Sequence, residues 1–373
     1  YDNGRYSSSV EVTENELGNN IIELSLDINE GDASTIKEIK ILGNKTYSTR
    51  LLKSLIKSGP KYWFEVWSDK DIYNSTLLDQ DIEAIRDYYL DRGYAKFKIV
   101  SKQVNLSPDK EDIYITLSIN EGNLYKFGKT TVYGLDNFDS NVFKNIITSN
   151  LYSGSVFSRS NIETAKEAIQ FVLGEKGYAF PLVQLNVDLK DDSESVDITI
   201  RVDPKKKSFV RRINIKGNTK TNDEVYRREL RQFESSIYSI NKIERSKIRL
   251  QRLKFINNVD VKKTIVDEEN GLIDIDFLLD ETQSGEFKVG AGYSDSSGAI
   301  FNIKVQQDNF LGKGNNVSLE IEKSSYKKLL RYRNTDPYFT EDGISKSTSM
   351  VFSQTDVSST STASYISDTI AYG

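Results

Sequence analysis

Neither cysteine nor histidine occurs among the 373 residues. Their absence excludes disulfides, thiol nucleophiles, Ser–His and Cys–His dyads, and zinc sites built on imidazole or thiolate. Paired carboxylates, lysine and tyrosine stay open as catalytic groups. A chain without cysteine suits an oxidising compartment, where stray thiols are a liability, but does not fix one. No run of about 18 apolar residues is present, so no transmembrane helix is expected. The sequence opens on Tyr1, with neither an initiating Met nor a signal peptide, and reads as a mature or trimmed piece. No single sign of charge dominates: 50 Lys and Arg stand against 55 Asp and Glu, a net charge of −5. That balance implies no strong electrostatic attraction to nucleic acid or to anionic lipid. With 37% hydrophobic and 28% charged residues the composition is that of an ordered globular chain. The length leaves room for roughly two to four domains.

What is present is a repeat. "IKEIKILGNKTYS" from Ile36, "FGKTTVYGLDNFD" from Phe127 and "VRRINIKGNTKTN" from Val210 each alternate apolar and polar residues and then turn at a glycine. Gly43-Asn44 and Gly217-Asn218 are residue pairs that tolerate positive φ. A short helical pattern follows each turn, over 47–57, 140–150 and 221–233, with Thr221 or Asn222 as the cap of the last. A second helix follows in each unit. Leu78, Ile82, Ile85 and Tyr89 form one apolar stripe; Ile162, Ala165, Ala168, Ile169 and Val172 form another; Ile243, Ile248, Leu250 and Leu253 form a third.

"YYLDRGYAKFKI" and "VLGEKGYAFPLV" then join helix to strand through Gly93-Tyr94 and Gly177-Tyr178, where a helix end needs a left-handed residue. The third unit has "LKFINNVDVK" and no glycine there, so Lys254 or Asn257 is expected to fill the turn. Two alternating strands close each unit, the first pair around a Pro108-Asp109 turn. The plan is β-α-α-β-β with a period of about 80–90 residues, and the chain opens on the tail of an earlier copy. The joint recurs because every unit must pass sharply from its second helix into its second strand. Fold maintenance therefore accounts for Gly93, Tyr94, Gly177 and Tyr178.

Other features have plain explanations. Asp191-Asp192 and Asp267-Glu268-Glu269 are the best acidic clusters for an enzyme, and solvated hairpin tips account for them. Lys205, Lys206, Lys207, Arg211 and Arg212 read as a linker and strand edge. Trp63 and Trp67 read as a loop anchored on its unit's core, with a ligand platform as the alternative. No catalytic, cofactor-binding or metal-binding residue is assigned.

From Ser284 the pattern changes. Phe287, Val289, Ala291 and Tyr293 fall on one face and Lys288, Gly290, Gly292 and Ser294 on the other. "AIFNIKVQQD" and "NNVSLEIEKS" alternate in the same way between Gly- and Asn-rich turns. Strands of about ten residues, apolar on one side, suit a transmembrane β-barrel. A soluble sandwich alternates identically. About five strands fit before Gly373, fewer than the eight usual for closure.

"YYLDRGYAKF", "KGYAFP", "GNTKTNDEVYRRELRQFE", "VQQDNFLGKG" and "NTDPYFTEDGIS", in this order, resemble the family of outer-membrane β-barrel assembly factors, in which POTRA repeats precede a barrel. The resemblance covers nearly the whole chain. It implies an α+β fold of tandem β-α-α-β-β POTRA repeats, followed by the first strands of an antiparallel transmembrane β-barrel. The expected boundaries are 1–31 for the tail of a repeat, then repeats at 33–122, 123–203 and 204–281, and the N-terminal part of a barrel at 284–373. It also moves the final segment from sandwich to barrel. The implied location is the outer membrane, with the repeats in the periplasm. The implied partners are unfolded outer-membrane proteins, BamB-like and BamD-like lipoproteins and outer-membrane lipid, with no nucleic acid and no cofactor.

Residue by residue, the family suggests a lipoprotein contact near Val104 and Leu106, on a strand edge where extended segments could also pair; packing on the helices is the alternative. In "EVYRRELRQFE" it implies docking of a second lipoprotein through Arg227, Arg228, Arg231 and Glu234; a solvated helix face is the alternative. It makes Phe287, Val289, Gly290 and Gly292 part of a lateral gate strand whose glycines weaken pairing. Close packing inside the lumen would explain the glycines equally well. An exporter of the two-partner secretion type, a periplasmic scaffold and, last, an enzyme are the competing readings.

Overall fold

A computed structural model of the chain describes residues 4, 5, 8–18, 21–31, 33–61, 69–295, 298–340, 342–356 and 366–373. Trp63 and Trp67 lie outside the described residues. The chain divides into two compact units, Tyr1–Gln170 with Leu182–Asp203, and Phe171–Pro181 with Pro204–Gly373.

The first unit begins with an antiparallel hairpin, β1 (Ser9–Gly18) and β2 (Ile21–Asn29). A complete repeat follows: β3 (Thr35–Leu42), α1 (Thr49–Ser54), α2 (Ser75–Leu90), β4 (Lys98–Leu106) and β5 (Asp112–Asn120). A second comprises β6 (Lys126–Tyr133), α3 (Ser140–Asn150), α4 (Arg159–Glu175), β7 (Leu182–Lys190) and β8 (Ser195–Asp203). The second unit holds the third: β9 (Phe209–Lys216), α5 (Asp223–Arg227), α6 (Ile240–Gln251), β10 (Ile256–Asp267) and β11 (Leu272–Glu281).

All three sheets share one order, β3-β5-β4, β6-β8-β7 and β9-β11-β10. The last strand of each repeat is central, parallel to the first and antiparallel to the second. The helices supply the apolar cover. Leu78, Ile82, Ile85 and Tyr89 are buried, as the spacing predicts, against Ile113, Ile115 and Leu117 of β5. The α6 stripe differs from expectation: Ile248 is 47% exposed and Ser246 is fully buried. Ile248 lies two residues from both Ser246 and Leu250, off the 3.6-residue stripe. Ser246 is satisfied there, its Oγ accepting from the Arg231 N–H and donating to the Lys242 carbonyl, both at 2.7 Å.

In the first and third complete repeats the turn after the first strand is held by a carboxylate from the end of the repeat. Glu121 accepts from the Lys45 and Thr46 N–H groups and from the Tyr89 hydroxyl. Glu281 accepts from the N–H groups of Thr219, Lys220 and Thr221 and from the Tyr226 hydroxyl at 2.6 Å.

The glycine joints do more than turn the chain. Gly93 has φ +96°, and a Cβ there would meet the Leu124 and Val156 side chains of the following repeat. Its carbonyl accepts from the Tyr125 N–H at 2.8 Å, and the Gly177 carbonyl accepts from the Ser208 N–H at 2.8 Å. An acidic residue just before each joint closes it. Asp91 Oδ1 accepts from Ser158 Oγ at 3.1 Å and the Ser160 N–H at 2.7 Å, at the start of α4. Glu175 does the same for Ser239 Oγ and the Asn241 N–H at the start of α6. One repeat thus caps the second helix of the next. Replacing Asp91 by alanine should lower stability by about 1 kcal/mol, the usual worth of a helix cap. Thermal unfolding of residues 34–205 reads this out, and an unchanged midpoint would remove the capping role. The third joint has neither predicted substitute, since Lys254 and Asn257 are not among the positive-φ residues. Successive tight turns, Leu253 N–H to Leu250 and Ile256 N–H to Leu253, carry α6 into β10 instead.

The final segment is one antiparallel sheet in chain order: β12 (Gly285–Ser294), β13 (Gly298–Phe310), β14 (Asn315–Lys323), β15 (Lys327–Asp336), β16 (Lys346–Asp356) and β17 (Ile366–Tyr372). It has six strands where the sequence suggests about five. Two cross-strand rows run across its whole apolar face: Phe287, Val305, Leu319, Tyr332, Met350, Tyr372, and Val289, Ile303, Ile321, Leu330, Phe352, Ile370. All twelve are large side chains left exposed. The opposite face carries Glu286, Lys288, Lys304, Glu320 and Arg331, with Arg331 paired to Glu320 at 3.0 Å. The sheet is open, with β12 and β17 at its two ends.

Candidate functional site

The main chain of an edge strand keeps a row of unpaired N–H and C=O groups. The strand order places β4, β7 and β10 at repeat edges and β12 at one edge of the final sheet. Val104, opposite Ile115, is half-buried and packed against the repeat's core. Leu106, two residues on, is 36% exposed. The Val104 side chain thus packs on the core while the backbone of this strand forms the edge. Sequence reasoning missed Val100. It is the extra residue of a bulge between Ile99 and Ser101, and it is 61% exposed. Bulges twist an edge out of register and blunt it. β10 is interrupted near both of its ends, whereas β7 pairs with β8 in unbroken register from Leu182 to Lys190.

All of β12 but Ser294 is exposed. The two readings of its glycines can be separated. A Cβ on Gly290 would meet only Asn302 Cβ at 3.9 Å, and one on Gly292 would meet nothing within 4 Å. Among the described residues no close packing requires them; the weaker strand pairing that glycine brings is the other reading.

The arginine group divides. Arg227 pairs with Asp223 and, at 3.7 Å, with Glu234. Glu234 also accepts from the Ile213 N–H at 2.8 Å. Arg231 donates to the Arg228 and Leu230 carbonyls. Arg228 is turned elsewhere: its guanidinium lies 4.4 Å over the ring of Tyr338, beside Gly314. An aromatic ring thus covers its cation. Phe233, which the charge pattern does not reveal, is 64% exposed in the same stretch.

Arg228 belongs to a joint between the third repeat and two turns of the final sheet. Asn309 donates to Thr221 Oγ1 at 2.7 Å, and the Asn222 N–H donates to the Gly312 carbonyl at 2.9 Å. Arg249 bridges Glu229, at 2.6 Å, and the Tyr338 hydroxyl, at 2.7 Å. The turn through Asn309, Gly312 and Gly314, and Tyr338 after β15, hold this repeat.

Repeats of order 1-3-2 that end on an open antiparallel sheet with one apolar face define a repeat-bearing class of β-sheet protein. The family model described as POTRA, surface antigen variable number repeat, matches residues 34–122, 125–205 and 208–282, and that of the Omp85 superfamily domain matches 309–373. The chain belongs to this POTRA family, with an Omp85 domain following its repeats. It is 30% identical over 350 residues to outer membrane protein assembly factor BamA of Neisseria meningitidis, covering 92% of this chain and 43% of that protein. It is 30% identical over 343 residues to BamA of Buchnera aphidicola, covering 91% and 54%. The chain spans about half the length of these curated relatives. Among solved structures, Haemophilus influenzae BamA POTRA3-5 is similar with a TM-score of 0.59 at 29% identity, over 66% of this chain and 96% of that one. BamA from Haemophilus ducreyi lacking POTRA domains 1-3 gives 0.58 at 27% identity, over 66% and 47%.

Proposed function

We propose that the protein assembles and inserts β-barrel proteins into the bacterial outer membrane, its repeats lying in the periplasm and its final sheet forming part of a membrane-spanning barrel. The observation that carries this reading is β12: a glycine-bearing strand at the edge of the described sheet, whose apolar face suits lipid. A client strand would pair there by main-chain bonds alone, which need no sequence code. The free edges of β4 and β7 offer the same chemistry to unfolded clients or to a BamB-like lipoprotein near Val104 and Leu106. Arg227, Arg231 and Glu234, with Phe233, are the face for a BamD-like lipoprotein, without Arg228. The relatives' names support the assembly role over export.

The test is to stiffen β12. Valine at Gly290 and Gly292 should stabilise strand pairing by about 0.5–1 kcal/mol per site. Both sites are open, so the fold should be kept. Full-length protein in liposomes should then insert a client barrel several-fold more slowly, and a photocrosslinker at Phe287 should trap less client strand. Undiminished insertion by the double variant would sink the gate reading.

A further inference from the structure

The apolar face of the final sheet ends in a third cross-strand row of different chemistry. Beyond Val289–Ile370 the register brings together Phe301, Lys323, Lys328, Gln354 and Asp368. Lys323 and Lys328 are direct partners across β14 and β15, on the same face as Ile321 and Leu330. Both are exposed. Two like charges directly opposite in a ladder repel, and charge on an apolar face facing lipid costs further.

Among the described residues neither Lys323 nor Lys328 makes an ion pair, although Asp368 lines the depression beside them. Lys328 Nζ donates to Gln354 Oε1 at 3.0 Å, and Gln354 Nε2 donates to Asp368 at 3.1 Å, so the carboxylate is held on the far side of an amide. The polar face handles the same problem differently. Lys288 and Lys304 are also direct partners, but Lys288 pairs with Glu286 at 2.7 Å, and Lys304 stands opposite Glu320. Lysines in the polar interior are supplied with carboxylates; the pair on the apolar face is not. A shallow depression of about 610 Å³ lies between these lysines and the row of Ile321, Leu330, Phe352 and Ile370.

Its height on the sheet is fixed by the connections. The third repeat enters β12 at Gly285, and the turn 311–314 and the described residues 337–340 and 342–345 lie at that end. Lys323 and Lys328 flank the hairpin at the opposite end, next to Ser324 and Tyr326. With repeats in the periplasm, the pair faces the outer leaflet at the rim of the apolar band.

We propose that Lys323 and Lys328 form a binding site for the phosphate of an outer-leaflet glycolipid, whose acyl chains lie along Ile321, Leu330, Phe352 and Ile370. The phosphate bridges the two ammonium groups and removes their repulsion, and the apolar row gives the chains a surface. The site rests on the outer-membrane reading above.

The probe is diphosphoryl lipid A, fluorescently labelled, titrated into phosphatidylcholine nanodiscs that hold the full-length protein. Saturable binding is expected, weakened about tenfold by the double change Lys323→Gln and Lys328→Gln. It should be unchanged by Lys288→Gln on the polar face. Dephosphorylated lipid A should bind wild type no better than diphosphoryl lipid A binds the double variant. Equal binding by wild type and double variant would overturn the site, as would equal competition by phosphatidylglycerol, which would mean that any anionic lipid suffices. Protein that enters the nanodisc but shows no lysine-dependent binding refutes this site alone. Protein that fails to enter a bilayer refutes the membrane reading instead.

Discussion

Replacing Gly217 by alanine is expected to unfold the third complete repeat at temperatures where the other two stay folded. Gly217 has φ +91°, and a Cβ there would fall within contact distance of the Leu279 carbonyl oxygen. Leu279 lies on β11, the central strand, so the clash cannot be relieved by swinging a side chain. Either the turn moves or β11 does, and β11 is the one strand paired on both sides. The left-handed conformation alone costs a residue with a Cβ about 1–2 kcal/mol. With the displaced ladder the total should reach about 3–5 kcal/mol. For a repeat of this size that lowers the melting temperature by roughly 15 °C. Calorimetry on residues 34–282 would show one transition split off and shifted down. Gly43 and Gly134, set against Ile119 and Val202, should behave alike in their own repeats. A change of under about 1 kcal/mol at Gly217 would mean that the turn can open, and the close-approach argument would fail.

Replacing Glu281 by glutamine should cost about 2–3 kcal/mol at neutral pH, since several hydrogen bonds to a charge are weakened together. Burial by itself would raise the pKa of this carboxyl. Hydrogen bonds from the Thr221 and Tyr226 hydroxyls, the Lys220 N–H and the Thr219 hydroxyl outweigh burial and hold it at about 2, against an ordinary value of 4.5. The sign follows. A folded-state pKa below the unfolded one gives stability that is full above 4.5 and is lost as the pH falls through about 2. Wild type should therefore weaken steadily across that window. The glutamine variant, with nothing to protonate there, should start lower and lose less. Urea unfolding at pH 7, 4 and 2.5, followed by tyrosine fluorescence, measures both slopes. Parallel slopes would show that the carboxylate is not the group that titrates. Glu121, whose pKa is also depressed despite its burial, predicts the same acid weakening in the first complete repeat.

The repeat was legible because three copies of one pattern reinforce each other. The α2 stripe and the turns at Gly43 and Gly217 follow directly from residue type and spacing. Ile248 failed because an apolar residue in a polar helix looks like core until a stripe is counted from Ser246, a residue type that signals nothing by itself. Lys254 and Asn257 failed because a missing glycine suggests a substitute, whereas the chain avoids the left-handed region by tighter turns. The site was legible in part. Alternation exposes the two faces of β12, but the bulge at Val100, the ring over Arg228 and the opposed lysines are matters of register and docking. Sequence spacing within one strand carries no information about its neighbour.

The carbonyls of Gly93 and Gly177, with Asp91 and Glu175, mean that the first two complete beads are not finished by their own residues. Each shares its last hydrogen bonds with its successor, so the beads behave as neighbouring spins in a one-dimensional lattice, where coupling passes only to the next site. Loss of order should then creep inward from an end rather than begin in the middle. A cut placed between two beads would loosen the surviving bead at its severed margin, even though every residue of its own core stayed in place.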